Sequence, residues 1–222
     1  MLWGEHDHSL FEGTERFFRA SYRTSLVNDW IPALDGVEAK LQAGALVADV
    51  GCGHGASTII LARAYPNSRF VGFDFHAPSV ERARQAAEQA GVADRVSFAV
   101  ADAAAYPGEG YDLVAYFDCF HDLPAPYRSA LRTYEALAPD GTVLIVEPMG
   151  GRTVAENFNP IGRIYSAASV LVCKPNALAS SDEALGPIAT DEAIAGMLRL
   201  AGFKRFRRAT ETPFNRIYEL RP

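Results

Sequence analysis

The apolar run Ala45-Leu46-Val47-Ala48 leads through Asp49 and Val50 into Gly51-Cys52-Gly53-His54-Gly55. A strand apolar on both faces is one buried between helices in a parallel sheet. Glycines directly after it let the backbone turn sharply and bring a ligand close. This junction points to an open α/β sheet whose ligand sits at the C-terminal edge of the strands.

The rest of the chain alternates as such a sheet requires. Ile59, Ile60, Leu61 and Ala64 mark a helix after Gly55 that stops before Pro66, and 69–74 (RFVGFD) reads as the second strand. A helix over 78–90 has Pro78 at its start and Gly91 as its C-terminal cap. Strands follow at 96–100 and 111–117, then a helix with Tyr127, Leu131, Tyr134 and Leu137 in register, then a turn at Pro139-Asp140-Gly141 into a fifth strand, 142–147. A helix over 191–201, with Thr190 as cap, precedes two closing strands at 203–209 and 216–220, expected as a hairpin-like pair at one side of the sheet. The expected fold is thus α/β, Rossmann-like and doubly wound. Residues 1–44 form a helical segment, with Phe17, Phe18, Tyr22, Leu26 and Trp30 in register, that acts as a lid over domain 45–222. The connection 150–187 is longer than a parallel crossover needs and reads as a second lid, with a helix after Asn159-Pro160.

Composition narrows the function. The net charge of −6 over 222 residues argues against a nucleic-acid surface for this chain alone, and the basic run 204–208 reads as a solvated strand edge. No apolar stretch is long enough to span a membrane, and Glu5, Asp7 and Glu12 stand where a signal peptide needs a basic start, so a cytoplasmic location is expected. Cys52, Cys119 and Cys173 fit neither a disulfide framework nor a zinc knuckle, and no metal is expected. Glu5-His6-Asp7-His8 reads as a solvated stretch at the terminus.

The glycines leave the cofactor open, because Gly51, Gly53 and Ala56 also satisfy the dinucleotide fingerprint. Asp49 favours one side. A fixed carboxylate repels a pyrophosphate and attracts the ammonium and sulfonium of S-adenosylmethionine (SAM). On this reading Asp49 and the amides of Gly51 and Gly53 face the methionyl group, Asp74 accepts from the ribose hydroxyls, and Asp102 accepts from the adenine amino group. Each aspartate alone reads equally as a turn former.

The segments VADVGCGHG, VGFDFH, VADAAAY and YDLVAYFDCFHDL resemble the ordered motifs of class I SAM-dependent methyltransferases. The likeness covers roughly 45–222 and is greatest to bacterial proteins in which this domain follows a winged helix, with a more distant similarity to plant-type small-molecule O-methyltransferases. It implies a seven-stranded sheet with an antiparallel last strand, SAM as cofactor and S-adenosylhomocysteine (SAH) as product. Phe75, Ala103, Phe117 and Asp118 would border the cofactor. His121-Asp122 resembles the plant-type His-Asp pair, which makes His121 the expected base and Glu147 its orienting partner. The 44 leading residues leave no room for a winged helix. The acceptor is expected to be a small, apolar or aromatic molecule methylated on oxygen, and a homodimer is the one protein partner allowed for. A non-catalytic SAM-binding regulator and an NAD-dependent oxidoreductase are the alternatives.

Overall fold

A computed structural model describes residues 1–181 and 184–222. The N-terminal segment is largely helical: α1 (His8–Ser21) continues into a π-helical stretch, Tyr22–Trp30, and α2 (Val37–Ala43) follows a turn. Asp7 caps α1, its Oδ1 accepting from Ser9 N at 2.9 Å. The sheet is built from β1 (Leu46–Val50), β2 (Arg69–Asp74), β3 (Val96–Val100), β4 (Tyr111–Phe117), β5 (Leu137–Pro148), β6 (Arg205–Glu211) and β7 (Asn215–Arg221). Between them run α3 (Ala56–Ala64), α4 (Ala77–Ala90), α5 (Pro126–Ala136) and α8 (Asp191–Leu200). The long connection carries α6 (Pro160–Ala168), a π-helical turn (Ser169–Cys173) and α7 (Lys174–Leu178). It carries the helix expected after Asn159-Pro160, and positions 182 and 183 of the anticipated lid lie outside the described residues.

The strand order is β3-β2-β1-β4-β5-β7-β6, with β7 antiparallel to both neighbours. The order reverses between β1 and β4, which pair in parallel. That reversal opens a crevice at the strand ends.

Side chains alternate across the sheet, so each strand feeds two cores. Val47, Leu113, Ala115 and Leu144 face the N-terminal helices, α3 and α4. Ala48, Val50, Val114 and Tyr116 face α5 and α8. Leu26, Trp30, Ile31 and Leu41 are fully buried, so much of the leading segment belongs to the core.

Three boundaries differ from the sequence reading. Leu137 opens β5 instead of closing α5. The Pro139-Asp140-Gly141 turn lies within a bulge of that strand: Tyr111 pairs with Leu137 and Leu113 with Thr142, so β5 carries extra residues there. The sixth strand starts at Arg205, because Phe203 turns into the core before the ladder begins. It lies at the edge of the sheet, and its arginines pair outward, Arg208 with Asp191 at 2.6 Å.

Candidate active site

A cleft of about 1640 Å³ opens over the ends of β1, β2 and β4. Gly51, Gly53, Asp74, Phe75, Asp102, Ala103, Phe117 and Asp118 all line it, so most of the site residues read from sequence converge on one cavity.

The glycine loop works differently from expectation. Its amides are engaged within the protein: Gly51 N donates to Phe73 O at 2.7 Å and Gly53 N to Asp74 Oδ2 at 2.9 Å. Their value lies in close approach. Gly51 has φ +76°, and a Cβ there would come within 2.6 Å of Cys119 Sγ. At Gly55, φ +78°, a Cβ would meet the Phe98 ring at 2.6 Å. Any side chain at either position would strain the backbone and collide with a packed neighbour.

Asp49 does not line the cleft, a second departure. It lies beneath the start of α3, where its Oδ2 accepts from Ser57 Oγ at 2.7 Å and Thr58 Oγ1 at 2.6 Å. Its Oδ1 is buried without a partner. Burial pushes the carboxyl up to about 6, with the two hydroxyls acting against that rise. Ser57 does reach the cleft, so its hydroxyl links the Asp49 carboxyl to the cleft wall. The signal was the Ser57-Thr58 pair in the first turn of α3, directly after the loop.

Asp74 is buried at the cleft wall. Its Oδ2 accepts from Gly53 N and its Oδ1 from His76 N, each at 2.9 Å, and burial raises its pKa despite those amides. Each oxygen keeps a lone pair for a hydroxyl. Phe75 leaves 56% of its surface open beside it, a ring available for stacking. Asp102 closes a local turn, accepting from Ala104 N at 2.7 Å. His54 also borders the cleft, whereas His76 bonds Ser79 Oγ at 2.8 Å and packs on Phe11.

Asp118 holds φ +52°, the one described non-glycine residue with positive φ. Tyr22 OH donates to its Oδ2 at 2.9 Å and Asn215 Nδ2 to its Oδ1 at 2.8 Å. Burial and the nearby Glu147 push its pKa well up. These donors, from the N-terminal helix and the last strand, hold a conformation that aspartate otherwise seldom adopts. Sequence spacing gave no sign of either pairing.

His121 is 3% exposed and does not line the cleft. Its Nδ1 lies 2.8 Å from Glu147 Oε2, and its backbone amide donates to Glu147 Oε1 at 3.2 Å. Its Nε2 lies 3.3 Å from Asp122 Oδ1. Burial opposes a charged ring here, but Asp122 and Glu147 outweigh it and raise the pKa well above the ordinary imidazole range. Glu147 thus bonds both the ring and the backbone of His121, while the member of the row that reaches the cleft is Asp122. Cys173, from the long connection, joins His121 and Asp122. It lies 51 residues after Asp122 in sequence, which hid the contact.

The strand order and the carboxylates after β1, β2 and β3 define the class I methyltransferase architecture. A family profile described as a methyltransferase domain matches residues 41–192, and the chain belongs to the class I SAM-dependent methyltransferases. It is similar to 27-O-demethylrifamycin SV methyltransferase of Amycolatopsis mediterranei, with 29% identity over 73% of this chain and 60% of the relative. It is also similar to trans-aconitate 2-methyltransferase of Paracidovorax citrulli, with 36% identity over 49% of this chain and 40% of the relative. Among solved structures, human N-acetylserotonin methyltransferase in complex with SAM shares the fold, with TM-score 0.66, 19% identity, and coverage of 96% of this chain and 54% of that one. The chain thus spans less than two thirds of the length of these relatives. Among the described residues no helix is long and apolar enough to cross a membrane.

Proposed function

We propose that this chain transfers the methyl group of SAM to a hydroxyl of a small, neutral, apolar or aromatic molecule. The observation that carries the reading is the cleft lining. Trp3, Phe11 and Phe18 line it from the N-terminal segment, and Leu185 and Met197 line it from the C-terminal half. Arg128 is the one lysine or arginine among the described lining residues, against Glu15, Asp74, Asp102, Asp118 and Asp122. Such a lining suits a cationic cofactor and an uncharged acceptor and offers nothing to a tricarboxylate.

The buried Asp49 carboxyl beneath Ser57 and the open Phe75 ring fit SAM. When bound, SAM supplies a methyl group already activated on a sulfonium sulfur. Asp74 would accept the ribose hydroxyls, Asp102 the adenine amino group, and Phe75 would stack beside them. The main chain at Phe117 and Asp118 would border the methionyl group, with the loop glycines allowing close contact. The protein's remaining tasks are alignment and exclusion of water, for which the N-terminal segment and the 150–187 connection serve as covers.

The hydroxyl must also lose its proton. Asp122 stands at the cleft wall and burial raises its pKa, which suits it to accept a proton, with His121 and Glu147 behind it. The base thus moves from His121 to its neighbour.

Calorimetry with SAH and with NADH, followed by a labelled-SAM screen of phenols, quinols and carboxylic acids, tests the reading. Expected are SAH binding without NADH binding and methylation of neutral phenols or quinols. NADH binding alone overturns the cofactor assignment, and SAH binding with no acceptor methylated favours a regulatory role.

A further inference from the structure

One cluster beside the acceptor wall is used by neither cofactor nor cover. His121, Asp122 and Cys173 each offer a ligand atom, and these atoms all lie within 4.8 Å of one another. The 3.3 Å between His121 Nε2 and Asp122 Oδ1 matches the edge of a tetrahedron whose ligands sit roughly 2.0–2.1 Å from zinc. Asp122 Oδ1 is buried, with the His121 ring and the Cys173 thiol as its neighbours. Glu147, itself fully buried, holds Nδ1 of the ring and so leaves Nε2 to the other two groups. A carboxylate on the far nitrogen is the partner that metal-bound imidazoles carry. A thiol, an imidazole and a carboxylate together form a set that suits zinc and is poorly matched to magnesium or calcium.

We propose that His121, Asp122 and Cys173 form a zinc-type divalent-cation site, with three protein ligands and the fourth position turned to the cleft beside Asp122. Binding displaces the protons of the imidazole Nε2 and of the thiol. The inference goes beyond the acceptor reading, because the site is defined by ligand geometry alone. A cation there would bind the acceptor oxygen as its anion, the hydroxyl proton leaving to solvent, so that Asp122 no longer has to take it.

Cobalt(II) is the probe, titrated into metal-free protein kept reduced without thiols. One equivalent per chain is expected, with a thiolate-to-cobalt charge-transfer band in the near ultraviolet that one equivalent of zinc abolishes. The band disappears in Cys173→Ser, or in Cys173→Ala should circular dichroism show the serine variant unfolded, and affinity falls at least about tenfold in Glu147→Gln. No band in the native chain, or a band that survives loss of Cys173, overturns the site. SAH calorimetry on the same samples reports the cofactor site separately, so failure of one reading is distinct from failure of the other.

Discussion

Asp49 holds its carboxyl near 6 against an ordinary 3.8, through burial. A carboxyl more basic folded than unfolded binds its proton more tightly in the native state. The resulting stability is present at acid pH and is lost as pH rises from about 4 to about 6. The gap corresponds to about 3 kcal/mol. A cationic cofactor favours the ionised form, so SAM affinity should rise by up to about tenfold per pH unit toward pH 6 and then level off. Calorimetry across pH 4.5–7.5 checks this. Asp49→Asn should flatten the profile and weaken binding at neutral pH; a steep slope that persists in the variant would remove Asp49 as the source. At the acceptor wall, Asp122→Asn should lower kcat by about 10²–10³-fold while SAH affinity stays within twofold. Equal loss in both would make Asp122 a structural residue.

Among elements, the N-terminal segment and the 150–187 connection meet across the cleft. Trp3 N donates to Asn176 Oδ1 at 2.8 Å, and Asn176 Nδ2 donates to Asp122 O at 3.3 Å. One side chain thus ties the first turn to the acceptor wall. Asn176→Ala should speed amide hydrogen exchange in residues 1–7 by about tenfold or more, leaving the central strands unchanged; unchanged exchange at the terminus would show that Phe11, packed on Trp3 and His76, holds it alone. Element identity was legible where one local pattern decided it. Buried strands such as β1 and β4 read as apolar runs, and α8 showed its Thr190 cap, which accepts from Ala193 N at 3.2 Å. Thr190→Ala should therefore cost about 1 kcal/mol, read as a fall of about 2–4 °C in Tm. The start of β5 was not legible, because turn chemistry at Pro139-Asp140-Gly141 is also bulge chemistry, and only the facing strand selects between them. The fate of His121 was hidden for a similar reason. Which carboxylate meets which ring nitrogen depends on side chains of Glu147 and Asp122 brought together by the β4–β5 pairing.

For the whole molecule, on the proposed function, the cleft's charge should discriminate between acceptors of the same shape. Among the described residues five carboxylates and one arginine line it, and Asp49 lies beneath with Glu147 near the acceptor end. Bound SAM, with two cationic groups and one carboxylate, offsets only part of that field. An anionic acceptor about 8 Å from a single unscreened carboxylate, at an effective dielectric constant near 20, meets roughly 2 kcal/mol of repulsion. Part of this is relieved by the protonation that burial favours at Asp118 and Asp122. A matched pair isolates the effect: a hydroxybenzoate and its methyl ester have the same ring and the same hydroxyl and differ in charge. The ester should show kcat/KM at least about tenfold higher at low ionic strength. The gap should narrow as salt is raised, because the Debye length contracts from about 30 Å at 0.01 M to about 3 Å at 1 M. A preference set by pocket shape would be insensitive to salt. A preference for the acid would mean that Arg128 dominates the acceptor end, turning the assignment toward anionic acceptors.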